Sequence, residues 1–86
     1  MSRALTIQRS IVPLAERKKF LQKLHARHAY YTGANCRFWA FEESDMAGAF
    51  VEFIEASDAA TLSRALASAP EQMLDQARIY QEVELD

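Results

Sequence analysis

Residues 36–56 constrain this chain more than any other stretch, because they read as two strands joined by a short turn and apolar on both faces. In the first strand, residues 36–42, Phe38 and Ala40 alternate with Trp39 and Phe41. In the second, residues 47–55, Ala49, Val51 and Phe53 alternate with Phe50 and Ile54. A small antiparallel sheet normally covers one face and wets the other, which leaves polar residues at every second position. Here the face that ought to be wet carries aromatic side chains. Something therefore covers it: a second copy of the chain, a ligand, or both.

The period of the flanking sequence supplies the other elements. Leu5, Ile7 and Ile11 alternate with Thr6, Gln8 and Ser10, which predicts a first strand over residues 4–12. Pro13 ends it and suits the first turn of a helix. Over residues 14–32 the apolar positions recur at helical spacing, with Leu14, Phe20, Leu21, Leu24 and Tyr31 on one side and Glu16, Lys19, Lys23 and Arg27 on the other. Gly33, with Asn35 close behind, is a helix stop. Residues 43–46 have the length of a hairpin loop but lack an Asn-Gly or Asp-Gly turn. Ser57 and Asp58 are helix-capping residues. The stripe Ala59, Leu62, Ala65, Leu66 and Ala69 then predicts a second helix that lies close to what it covers, and Pro70 ends it. Residues 71–76 read as a turn anchored by Met73 and Leu74. Ile79, Val83 and Leu85 alternate with Tyr80, Glu82 and Glu84, predicting a last strand.

Strand, helix, strand, strand, helix, strand is the split βαβ order. It predicts an α+β, ferredoxin-like βαββαβ domain over residues 1–86, with a four-stranded antiparallel sheet and two helices on one face. Apolarity places Leu5, Ile7 and Ile11, Ala49, Val51 and Phe53, and Ile79, Val83 and Leu85 under the helices. The uncovered face then carries Thr6, Gln8 and Ser10; Arg37, Trp39 and Phe41; Phe50, Glu52 and Ile54; and Arg78, Tyr80, Glu82 and Glu84. Trp39, Phe41, Phe50 and Ile54 together expose an area that marks an interface or a ligand site on a small monomer. A homodimer through the helix-free face needs one self-complementary patch. Glu52 and Glu82 either pair with Arg37 and Arg78 or line a cavity with apolar walls.

At 86 residues the chain is one domain near the lower limit for a single core. A net charge of −2 gives no reason to expect a nucleic acid or an anionic membrane as partner. Arg17, Lys18, Lys19, Lys23 and Arg27 sit on one predicted helix and read as a solvated face. Arg17 falls in the apolar stripe, with its stem along the core and its guanidinium in water. The single cysteine, Cys36, excludes an internal disulfide and reads as a small hydrophobe. With no signal-like apolar run and no membrane-length segment, a reducing, cytoplasmic setting is the expectation.

His25 and His28 lie one turn apart, but no third ligand completes a metal site. His28 falls between Leu21 and Leu24 in angle and is expected to face the sheet. It is either a core imidazole satisfied by a carbonyl or carboxylate, or a proton-transfer group at the rim of a pocket.

The element order, the length and the aromatic two-sided sheet resemble the dimeric α/β-barrel superfamily, and within it the small antibiotic-biosynthesis-monooxygenase type of domain. The resemblance implies sheet-on-sheet dimers with a small organic molecule held between sheet and helices. It also implies, for some members, oxygenation of aromatic substrates without metal or cofactor. Haem-degrading members use an asparagine, a histidine and a tryptophan. Here the first strand carries Gln8 and no asparagine, and those roles are not carried over. The expectation is thus a homodimer binding a small aromatic molecule, with no cofactor, His28 for proton transfer, and Gln8, Trp39, Phe50, Glu52 and Tyr80 around the ligand. The alternative is a non-catalytic dimerisation or regulatory module in which the aromatics are interface core.

Overall fold

A computed structural model describes residues 2–71 and 78–85. The elements are β1 (Ala4–Ile11), a single 3₁₀ turn (Leu14–Glu16), α1 (Arg17–Gly33), β2 (Arg37–Glu42), β3 (Ala49–Ala56), α2 (Ala59–Ala67) and β4 (Tyr80–Gln81). The antiparallel sheet has the order β2-β3-β1-β4, with α1 against β2 and α2 against β3 and β1. This is the ferredoxin-like α+β fold that the hydrophobic periods predict. The turn expected over residues 71–76 lies, Glu71 apart, outside the described residues.

Local chemistry sets the element ends. α1 stops where Asn35 adopts a left-handed conformation, φ 65°, and the Cys36 N–H reaches back 2.8 Å to the Tyr31 carbonyl. Asn35, and not Gly33, takes the left-handed turn. The Asp58 side chain caps α2 by accepting a hydrogen bond of 2.7 Å from the Thr61 N–H. Behind the cap, Leu62 and Ala65 are fully buried against the sheet. The hairpin loop is longer than expected, and Gly48 closes it with φ 90°. Its carbonyl accepts from Val12 N–H at 2.8 Å, and its own N–H donates to a Glu42 carboxylate oxygen at 2.8 Å. One glycine thus ties the hairpin to the end of β1.

Two expectations about the sheet are corrected. The first concerns its faces. Register pairs Thr6 with Ile54, Gln8 with Glu52, and Ser10 with Phe50, and on the other side Ile54 with Phe38 and Glu52 with Ala40. Directly paired residues share a face. This is the helix-covered face: Thr6, Phe38, Phe50, Glu52 and Ile54 are all buried. Phe50, Glu52, Ile54, Thr6, Gln8 and Ser10 therefore lie under the helices, while Leu5, Ile7, Ile11, Val51 and Phe53 join Trp39 and Phe41 on the open face. The cause lies in α1. Its sheet-facing stripe is Arg17, Phe20, Leu24, Arg27 and Tyr31, and its two arginines meet Glu42 on β2 and Glu52 on β3. A helix that brings charge to the sheet selects the face that can match it.

The second correction concerns β4, expected over residues 79–85 and ordered as a strand only at Tyr80–Gln81. Tyr80 lies opposite Leu5 and Gln81 opposite Ala4, and the Glu82 N–H donates to the Arg3 carbonyl at 2.8 Å. Beyond that point the strand has passed the start of β1. Ile79 packs against the core as expected, but Val83 and Leu85 do not lie under the helices and are 74% and 89% exposed.

Candidate site between the sheet and the first helix

The layer beneath α1 alternates ion pairs with aromatic rings. At one end Arg17 grips both oxygens of Glu42, at 2.6 and 2.8 Å, so its guanidinium is anchored to the sheet while the side chain stays 38% exposed, as its place at the helix edge leads one to expect. The Arg17 guanidinium carbon lies 5.5 Å from the centre of the Phe50 ring, which is tilted against Phe20 at 4.8 Å. The Arg27 guanidinium carbon lies 5.9 Å from the centre of the Phe20 ring, and its Nη1 donates to a Glu52 oxygen at 2.7 Å. Tyr31 follows, stacked on Phe38 with ring centres 6.1 Å apart. Helical spacing of three and four residues brings this whole stripe to the sheet.

Glu52 is the centre of the layer. It is 1% exposed, one oxygen is held by Arg27, and the other, Oε2, has no hydrogen-bond partner among the described residues. Thr6, on the same face of β1 and two residues before the one opposite Glu52, is fully buried with its hydroxyl equally unpartnered. Leaving such groups unpaired is costly: a buried acceptor without a donor loses its full hydration. Gln8, directly across from Glu52, is half-buried beside them. Arg27 also donates through Nη2 to Glu71 at 3.1 Å, and Lys23 approaches the same carboxylate at 3.9 Å. Behind Arg27 lies a cavity of about 100 Å³ bordered by Tyr30, Tyr31, Ala69 and Pro70. The Tyr30 hydroxyl donates to the Ala65 carbonyl at 2.7 Å and ties α1 to α2 there. Burial, with a smaller push from Tyr30, raises the Tyr31 phenol to about 12.

The residues singled out from the sequence are split between two faces. Gln8, Phe50 and Glu52 meet in the layer under α1. Trp39 and Tyr80 lie on the helix-free face, Trp39 opposite Phe53 and Tyr80 opposite Leu5. His28 sits at the margin of this layer, against β2. It is exposed, with its ring edge-on to Phe38 at 6.3 Å, because the buried side of α1 is rotated away from it towards Arg27. Arg27, read as solvated, and Thr6 were missed. The available signal was charge spacing, since Arg17 and Arg27 are ten residues apart and so are Glu42 and Glu52. Among the described residues no group of three His, Cys, Asp or Glu side chains is placed to hold a metal, and no helix is long and apolar enough to cross a membrane.

The helix-free face is the second candidate surface. Trp39, Phe53 and Ile7 form one row across it, and Phe41 and Val51 begin the next, with the Phe41 and Phe53 rings edge-to-face at 5.8 Å. Trp39 is 40% and Phe41 55% exposed. At one end a chain of charges closes the patch: Arg37 approaches Glu55 at 3.9 Å, and Arg3 bonds Glu55 at 3.2 Å and Glu82 at 2.6 Å.

No protein-family model matches the chain, and no curated protein does. Solved structures do. A mutant of SnoaB, a cofactor-independent oxygenase from Streptomyces nogalater, is 21% identical with a TM-score of 0.65, over 79% of this chain and 70% of that one. A conserved protein from Methanosarcina mazei Go1 is 14% identical with a TM-score of 0.66, over 95% and 92%. Rv0793 from Mycobacterium tuberculosis is 16% identical with a TM-score of 0.63, over 100% and 97%. The resemblance read from the sequence holds at the level of the fold.

Proposed function

We propose that this chain is the subunit of a homodimer formed through its helix-free sheet face, and that the layer between sheet and α1 binds a small aromatic molecule. The observation that carries the ligand reading is the buried Glu52 carboxylate with one oxygen held by Arg27 and the other free. Gln8 and Phe50 share that layer and form the rest of the ligand-facing set. Trp39 and Tyr80 belong to the dimer face, and His28, exposed at the margin of the layer beside Phe38, lies away from the Glu52 carboxylate's Arg27 contact and is left out of the set. The similarity in fold to a cofactor-independent oxygenase supports a monooxygenase activity of the same kind. Without a cofactor the ligand itself supplies the electrons that reduce dioxygen, one oxygen atom entering the ligand and the other leaving as water. The reaction begins with removal of a proton from the ligand. A carboxylate with a free oxygen is suited to accept that proton.

The dimer reading rests on the apolar rows of the open face, since an exposed patch of about several hundred Å² marks an interaction surface on a small domain. Light scattering at micromolar concentration should give the mass of two chains, and Trp39→Glu should give monomer or aggregate. A well-folded wild-type monomer would sink that half of the proposal. For the ligand, native mass spectrometry of freshly purified protein should reveal a retained small organic molecule, released by Arg27→Met. Protein that never carries or takes up such a molecule would leave a dimerisation module, with the Arg27–Glu52 pair a purely structural feature.

A further inference from the structure

The charged end of the helix-free face has a sign order that a second copy of the chain can match. We propose that Arg37, Glu55, Arg3 and Glu82 fix how two copies meet, with Arg37 set against the partner's Glu82 and Arg3 against the partner's Glu55. This rests on the homodimer reading above and adds the orientation of the two sheets to it. Register puts the four side chains on one face. Arg37 lies opposite Glu55, and Leu5 lies opposite both Glu55 and Tyr80. Arg3 and Glu82 each stand two residues further along, on the same side of β1 and β4. Across the sheet, in the order β2-β3-β1-β4, the signs run plus, minus, plus, minus. Reversed and laid on itself, such a row sets every charge on its opposite.

Two aligned sheets related by a twofold axis have two ways to pack face to face. With the axis along the strands, the strand order reverses between layers, so β2 lies over the partner's β4 and β3 over the partner's β1. Arg37 then meets the partner's Glu82, Glu55 meets the partner's Arg3, and symmetry makes each pair twice. With the axis across the strands, the ends of the sheet are exchanged instead. The charged row then falls on the hairpin end, where Ile11, Phe41 and Met46 are exposed beside Arg9 and Glu43. A charge laid on apolar groups loses water and gains no partner, so the first packing is favoured. The row sums to zero, so covering it strands no net charge. Arg37 gains most from it: its side chain is 75% exposed and its contact with Glu55 within the chain is long, at 3.9 Å.

Charge reversal in the full-length chain reads the orientation directly. Arg37→Glu alone should weaken the homodimer about tenfold, because symmetry turns two attractions into two repulsions, and Glu82→Arg alone should do the same. Mixed together, these two variants should give mostly heterodimer by native mass spectrometry, since each new charge then faces its opposite, whereas random pairing gives about half. Arg37→Glu mixed with Glu43→Arg carries the same net charges and should pair at random. Should Glu82→Arg disturb β4, Arg3→Glu mixed with Glu55→Arg tests the inner pair and should show the same preference for heterodimer. Preference for the Glu43→Arg partner, or random pairing in every mixture, would overturn this inference and leave the homodimer standing. Wild-type protein that stays monomeric would overturn both.

Discussion

Arg27 and Glu52 join the first helix to the central sheet by a 2.7 Å contact in which the carboxylate side chain is wholly buried and the guanidinium is 18% exposed. The two residues stand 25 apart in sequence, as do Arg17 and Glu42, so one helix face and one sheet face are matched twice with the same offset. Removing the cation strands a buried anion. Arg27→Met should therefore lower stability by about 3 kcal/mol or more, whereas Arg27→Met combined with Glu52→Met should recover most of it. Urea denaturation at fixed protein concentration measures both. A single variant as stable as wild type would mean that the carboxylate finds another partner or sheds its charge.

Glycine chemistry predicts opposite outcomes at two positions. A Cβ on Gly48 would lie 2.4 Å from the Val12 carbonyl oxygen, and its φ of 90° is one that alanine rarely adopts. Both the clash and the strain fall on the loop that ties the hairpin to β1. Gly48→Ala should cost more than about 1 kcal/mol. Gly33, at the last turn of α1, has open space for 4 Å around the position a methyl group would take, and its φ is not positive. Gly33→Ala should be neutral or stabilising by up to about 1 kcal/mol. Thermal melts of the pair give the comparison directly, and equal shifts would refute it.

The element order was legible because the apolar period changes cleanly from two to between three and four at Pro13 and again after Asp58. Which face of the sheet the helices take was not. In β3 both Val51 with Phe53 and Phe50 with Ile54 are apolar, so hydrophobicity gives the strand no preferred side. In β1 the more apolar side, Leu5 and Ile7, is the one left open, which reverses the usual assumption that a chain covers its greasiest face with its own helices. The same rule misplaced Arg27: counted as a solvated cation on a basic helix, it is the residue that anchors that helix. His28 shows the limit of wheel arithmetic, since a rotation of part of a turn separates a buried position from an exposed one. The extent of β4 depended on register with β1, which no local pattern encodes.

Acid should loosen the junction between α1 and the hairpin. The Glu42 carboxyl is held at about 2, below its ordinary 4.5, first by the hydrogen bonds from Arg17 and then by the Gly48 N–H. A carboxyl whose value is lower in the folded state stabilises fully above the unfolded value, and that contribution is lost as pH falls through the folded one. The loss should therefore run from about pH 4.5 down to about pH 2. Glu42→Gln should flatten the acid limb of the stability curve over this window while lowering stability at neutral pH. Parallel acid limbs for wild type and variant would show that other carboxylates govern it.

At the alkaline end the governing group is Tyr31. Its phenol is 2% exposed as a residue, and burial lifts it from the ordinary 10.0 to about 12. The phenolate is the charged form, so the folded state favours the protonated one. The stabilisation is present below the unfolded value of 10.0 and disappears as pH rises towards 12. Ultraviolet titration of native protein should show one of the three tyrosines ionising late, and only together with unfolding. In Tyr31→Phe the late step should vanish. If all three tyrosines of the native protein ionise together, the ring is not packed against Phe38, and the C-terminal half of α1 sits differently on the sheet.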